Sequence, residues 1–192
     1  MSQSSQHKWD KRGGLFHRMN NQEKNSYVRT QITQTLLNMM EEEDFDKIVI
    51  GTLVKNAGVA RASFYRNYNT KEDVVQEHLA SLLRAWKYNF ETSGESNPVM
   101  LFGSLFQHLK ENQRFYRLLH RQHLSHLLLR YILSDCGPQT EQTSFVAYQH
   151  AFFAYGLYGW IEEWINRGMT EDADQIVAMF MENQQHPYEA KS

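Results

Sequence analysis

The segment Asn56–Val75 reads NAGVARASFYRNYNTKEDVV. Leu53, Val54 and Ala57 close a short apolar-periodic run, Gly58-Val59 follows, and a second short run extends through about Tyr65. Gly58 supplies a backbone conformation unfavourable to other residues, and Val59 fills the angle between the two runs. The pattern predicts a helix-turn-helix, whose second helix is the kind offered to the major groove of DNA.

Outward from this segment the chain reads as helix almost throughout. Tyr27, Ile32, Leu36, Met39 and Met40 recur at helical spacing and run into the acidic stretch Glu41–Asp44. Lys47–Ile50 is the one strand-like stretch, too short and isolated for a sheet, and reads as a loop entering a helix. Val74, Val75, Leu79, Leu82, Leu83 and Trp86 mark another helix, with Thr70 as its cap and Asp73 completing a capping box. Ser93–Pro98 reads as the central loop, and residues 98–110 and 111–134 as shorter helices. Cys136-Gly-Pro138 breaks the pattern, and a long aromatic helix is expected from about Gln142 to Arg167. Gly168 stops it and Thr170 is expected to cap the last helix, with Glu171 and Asp172 near its positive end.

The 192 residues suffice for one core, or for a small domain joined to a larger one. Their 41% hydrophobic and 22% charged composition is that of a globular protein. The formal charge of -2 argues against a wholly basic nucleic-acid coat protein, but between Phe45 and Glu72 five cations stand against two carboxylates. A single cysteine, Cys136, cannot form an internal disulfide and suits a reducing compartment. With no apolar run of membrane-spanning length and no signal-peptide pattern at the start, a cytoplasmic protein without a membrane partner is expected.

The string around the turn resembles the signature of the TetR family of bacterial transcriptional regulators. It has Ala57-Gly58-Val59, Ser63, Phe64-Tyr65, Tyr68 and Lys71-Glu72 in the family's spacing, and Phe45 where the family has an aromatic. The resemblance implies an all-α, TetR-like fold. A helix-turn-helix DNA-binding domain with its connecting helix would occupy residues 25–90, and a larger helical ligand-binding and dimerisation domain residues 95–186. It implies double-stranded DNA as partner, with Lys55, Arg61, Ala62, Ser63, Tyr65, Arg66, Asn67 and Lys71 as contact residues. Arg61 would reach a guanine or a phosphate, small Ala62 and Ser63 would permit close approach to base edges, and Lys71 would meet the backbone. Phe64 would face the core and the Tyr65 hydroxyl a phosphate, the alternative for Tyr65 being packing between helices, which is the reading favoured for Tyr68. Three positions depart from the pattern: Val49 and Ala60 stand where the family has capping hydroxyls, and Asn67 where a histidine is frequent.

In the second half, Phe145, Tyr148, Phe152, Tyr155 and Gly159 form one stripe of the aromatic helix; Phe153, Gly156, Trp160 and Trp164 form another. A helix apolar on two sides is buried on two sides. The resemblance implies that the first stripe meets its copy in a homodimer, the alternative being an internal core helix. It also implies a small-molecule inducer among Phe102, Phe106, Phe115, Tyr116, His123, Leu127 and Tyr131, although such residues also read simply as core. The segment Gly156–Thr170 is similar to a subgroup that includes regulators of dihydroxyacetone kinase operons. His120, His123 and His126 drift around a helix and lack the i, i+4 spacing of a zinc pair, so no metal or cofactor is expected. Residues 1–24 carry Lys8, Lys11, Arg12, Arg18 and Lys24 against Asp10 and Glu23. They read either as a basic arm that follows DNA or as an idle leader, with Met19 as a later start.

The expected function is a dimeric regulator, probing DNA through the helix-turn-helix and released by a ligand as a repressor. The alternative is a TetR-like coactivator that has lost DNA binding, favoured by the missing hydroxyls at 49 and 60. No nucleophile–base pair or phosphate loop suggests an enzyme.

Overall fold

The computed structural model describes residues 20–95 and 97–185. The basic residues of the expected arm that precede Asn20 lie outside them. The described residues are helical, without strands, and form two compact units dividing between Val74 and Val75. The loop at 93–98, expected to mark the domain boundary, lies inside the second unit.

The first unit opens with α1, Asn21–Glu42. Its start is a capping box: the Glu23 amide donates to Asn20 Oδ1 at 2.9 Å and the Asn20 amide to Glu23 Oε2 at 2.8 Å. Residues 21–24 are therefore the first turn of a helix and not part of an arm, because these two bonds satisfy amides that a helix start leaves free. A 3-10 turn, Phe45–Lys47, leads through an extended Ile48-Val49 to α2, Ile50–Asn56, so the strand-like stretch does enter a helix. Next come α3, Arg61–Asn67, and α4, Lys71–Thr92. Ile32, Leu36 and Met40 of α1 bury fully with Leu53 of α2 and Phe64 of α3. Each such side chain stabilises the unit by roughly 1.5–3 kcal/mol.

The second unit holds most of α4 and five further helices. These are α5 (Pro98–Glu111), α6 (Gln113–Arg121), α7 (Ser125–Cys136), α8 (Ser144–Asn166) and α9 (Ala173–Gln185). Asn97 caps α5 through a 2.8 Å bond from the Val99 amide, with Pro98 in the first helical position. The expected helix over 111–134 is in fact two. His123 takes a left-handed φ of 58°, its amide bonds His120 O, and the Leu124 amide returns to Leu119 O. This is the Schellman closure, usually built on glycine. Gly168 ends α8 in the same manner, with φ 84° and the Met169 amide on Trp164 O. Thr170 does not cap α9. The helix begins at Ala173, the amide of the preceding Asp172 bonds Gln175 Oε1, and the Thr170 hydroxyl turns to Glu171.

Packing in this unit pairs α7 with α8, α5 with α9, and α6 with α8. Leu79, Phe106, Leu109, Tyr116, Leu119, Leu127 and Ile161 are its deepest large side chains among the described residues.

Candidate nucleic-acid interface and ligand cavity

The turn between α2 and α3 closes as the sequence predicts. Gly58 has φ 66°, its amide bonds Lys55 O, and the Val59 amide bonds Val54 O at 3.0 Å. A Cβ at residue 58 would meet nothing within 4 Å, so the constraint there is backbone conformation and not space. Phe64 is fully buried and Tyr68 nearly so. Their rings lie 5.8 Å apart and hold α3 by its inner face.

That anchoring leaves the outer face of α3 to solvent. Arg61, Ala62, Tyr65 and Arg66 are exposed, as is Lys55 near the end of α2. The Arg61 guanidinium lies 5.6 Å from the Tyr65 ring centre and reaches the Tyr65 hydroxyl at 3.4 Å. The two side chains, one turn apart, thus form one donor-rich group.

Other expected contact residues are committed elsewhere. Asn67 Nδ2 donates to Ser63 O at 2.8 Å, a bond internal to α3 that uses the amide expected for DNA. Lys71 turns inward: its ammonium donates to Phe45 O, and to Ile48 O at 2.9 Å. It also sits 4.4 Å from the Phe45 ring centre. Burial lowers its pKa, opposed by the Asp46 and Glu43 carboxylates. Lys71, expected to meet a phosphate, is turned in this structure to the Phe45 and Ile48 carbonyls, the first of which also accepts from the Ile48 amide at 3.1 Å. The Thr70–Asp73 capping box is present, with Asp73 Oδ2 accepting from Thr70 N at 2.9 Å and Thr70 Oγ1 from Asp73 N at 3.1 Å.

Val49 and Ala60 are the N-caps of α2 and α3, and neither helix has a side-chain cap bond. Val49 is 64% exposed, so nothing in the first unit replaces the missing hydroxyl by packing.

The second unit contains a cavity of about 230 Å³. Leu83 and Trp86 of α4, Phe102, Leu105 and Leu109 of α5, and Tyr131, Ile132, Asp135 and Cys136 of α7 form much of its wall. Phe153, Leu157 and Ile161 of α8 and Phe180 of α9 complete the frame. Phe180 stacks on Phe102 with ring centres 4.1 Å apart, and Trp160 meets both edge-on. Of the seven residues expected at a ligand, Phe102 and Tyr131 line this cavity. Phe106, Phe115, Tyr116 and Leu127 are core, and His123 is exposed at the α6–α7 break. Tyr116 is satisfied by His108 Nε2 at 3.0 Å, and Phe115 by the edge-on His78 ring at 4.7 Å. The three histidines do not share a helix: His120 faces Glu162 across 3.5 Å and His126 belongs to α7.

Trp164 and Ile161 bury the inner side of α8, but its outer stripe is open. Phe145, Tyr148, Phe152 and Tyr155 are between 55% and 79% exposed, and Gly156 and Gly159 lie among them. The reading of α8 as a wholly internal helix is overturned by that exposure. Among the described residues no helix is long and apolar enough to cross a membrane.

An all-helical chain with a tight two-helix turn, an exposed second helix and a separate cavity-bearing unit has the organisation of a helix-turn-helix regulator. Residues 96–185 match a TetR-type family model described as a transcriptional regulator C-terminal region. The match spans 90 of the 192 residues and makes the second unit similar to the C-terminal region of TetR-type transcriptional regulators. Among solved structures, Lin0861 from Listeria innocua is similar to it with a TM-score of 0.71 and 14% identity, over 87% of this chain and 94% of that one, a likeness of fold. The fatty acid degradation regulator FadR from Bacillus halodurans overlaps with a TM-score of 0.48 and 15% identity, over 82% and 98% of the two chains. No curated protein sequence matches the chain.

Proposed function

We propose that the protein is a homodimeric, ligand-responsive repressor that binds a pseudo-palindromic operator through α3. The observation that carries this reading is the two-sided character of α3. Phe64 and Tyr68 fix one side, while Arg61, Ala62, Tyr65 and Arg66 stand exposed on the other. Arg61 is the base-reading candidate, with small Ala62 beside it allowing close approach. Tyr65, Arg66 and Lys55 are suited to phosphates, as is the half-buried Ser63 hydroxyl, whereas the Asn67 amide is already bonded within α3.

Dimerisation through the outer stripe of α8 would present two copies of α3 to successive half-sites. The stripe is aromatic, contiguous and joined by exposed Met179 of α9, a composition that water does not favour. The ligand would occupy the cavity, where it would touch Leu83 and Trp86 of α4, the same helix that begins at Lys71.

Selection of duplexes from a random pool by the purified protein tests the proposal. The expected product is an inverted repeat whose base preference relaxes in Arg61→Ala. A second reading, a TetR-like coactivator that does not bind DNA, is favoured by the uncapped starts of α2 and α3. Recovery of no sequence above background would favour it and reject the operator.

A further inference from the structure

The cavity of the second unit has a chemistry narrow enough to specify a ligand class. At about 230 Å³ it is smaller than pockets that hold drug-sized molecules. An apolar cavity of about 150 Å³ accommodates benzene, so simple scaling gives room here for about nine non-hydrogen atoms, or a few more with modest adjustment. The stacked Phe102–Phe180 pair and Trp86 give it flat aromatic walls.

Charge restricts the class further. Among the described residues lining the cavity there is no lysine, arginine or histidine, and the one ionic group is Asp135. That carboxylate is already held by Lys87 at 2.7 Å. A carboxylate ligand would have to take Lys87 from Asp135, leaving one of two anions unpaired beside apolar walls. A cation would meet an acid already neutralised. The remaining polar groups are weak. Cys136 Sγ bonds Ile132 O at 3.3 Å, and burial pushes its pKa up, which keeps it a thiol. Burial likewise raises the Tyr131 pKa and retains its phenol, a single hydroxyl able to orient one polar atom.

We infer that this cavity takes a compact, uncharged, mostly aromatic molecule of about nine to twelve non-hydrogen atoms and rejects carboxylates of the same size. The inference rests on the reading of the second unit as a ligand-binding domain.

Calorimetric titration of the full-length protein with naphthalene, with 2-naphthoate and with uncharged 2-naphthaldehyde, one non-hydrogen atom smaller than the carboxylate, tests it at neutral pH. Naphthalene should saturate at one per chain, and both uncharged compounds should bind at least 30-fold more tightly than 2-naphthoate. Leu105→Phe, which narrows the cavity, should weaken naphthalene at least tenfold. Should that variant not fold, magnetisation transfer from naphthalene to the Trp86 indole in the unaltered protein supplies the location, and no transfer would overturn the assignment. Absence of saturable naphthalene binding, or equal or tighter binding of 2-naphthoate, would also overturn it. Operator affinity with each compound separates the two readings. Naphthalene that binds in the cavity without changing DNA affinity upholds the ligand class and defeats the regulatory role. A bound 2-naphthoate that releases DNA does the reverse.

Discussion

Replacing Lys71 by methionine keeps the aliphatic stem and removes the ammonium that joins the first turn of α4 to the 3-10 turn. Ile48 O loses its charged donor, Phe45 O keeps only the Ile48 amide, and the Phe45 ring loses its cation. Bonds from a charged donor are worth about 1.5–3 kcal/mol by deletion, but the half-buried ammonium leaves water a path to at least one carbonyl. A partly exposed cation over the buried Phe45 ring adds about 0.5–1 kcal/mol. The expected loss is therefore about 2–3 kcal/mol for the first unit, on the order of a 10 °C fall in Tm for a unit of this size. Urea unfolding followed by far-UV dichroism measures the loss, and DNA binding across a salt series measures any phosphate contact. The folded fraction should keep its salt slope. Unchanged stability together with a slope reduced by about 0.9 would place the ammonium on a phosphate and refute the inward role.

Restoring hydroxyls at the uncapped helix starts should stabilise: Ala60→Ser and Val49→Thr are each expected to gain about 0.5–1 kcal/mol, read as a rise in the urea midpoint at constant slope. Phe152→Glu should convert the proposed dimer to monomers in light scattering while α8 content is kept, since an unpaired charge in a dry interface costs about 3–5 kcal/mol; an unaltered dimer would move the proposed interface elsewhere. Burial lowers the pKa of both His78 and His108 below the ordinary histidine value. Each takes up a proton more readily when unfolded, so the stability they contribute is full above pH 6.5 and is lost as pH falls from there through the folded values. His78→Phe should flatten that dependence of the unfolding midpoint, and an identical pH profile in the variant would exclude His78 as a source.

The turn at Gly58 and the end of α8 at Gly168 were legible in the sequence because glycine advertises a left-handed residue. The same closure at His123 carried no such mark, and the chain there read as one helix from 111 to 134. What places a histidine at φ 58° is the second unit, which buries Leu124 and Leu119 on either side of the break. The start of α1 was legible in Asn20 and Glu23 and was still placed four residues late, because polar composition outweighed a two-residue capping signal.

Local chemistry, written in neighbouring residues, therefore determined the all-helical fold, the helix-turn-helix and the inward or outward face of Phe64, Tyr65 and Tyr68. The orientation of Lys71 needed carbonyls 26 and 23 residues away. The cavity needed five helices. Phe102 and Tyr131 could be chosen from spacing, but Trp86, Asp135, Leu157 and Phe180 join them only where large side chains from α4, α7, α8 and α9 fail to fill the space beside α5. Periodicity states which face of a helix is apolar. Whether that face becomes packed core, as at Phe106 and Leu127, or the wall of a void, as at Leu105 and Ile132, depends on partners distant in the chain, and only the tertiary structure decides it.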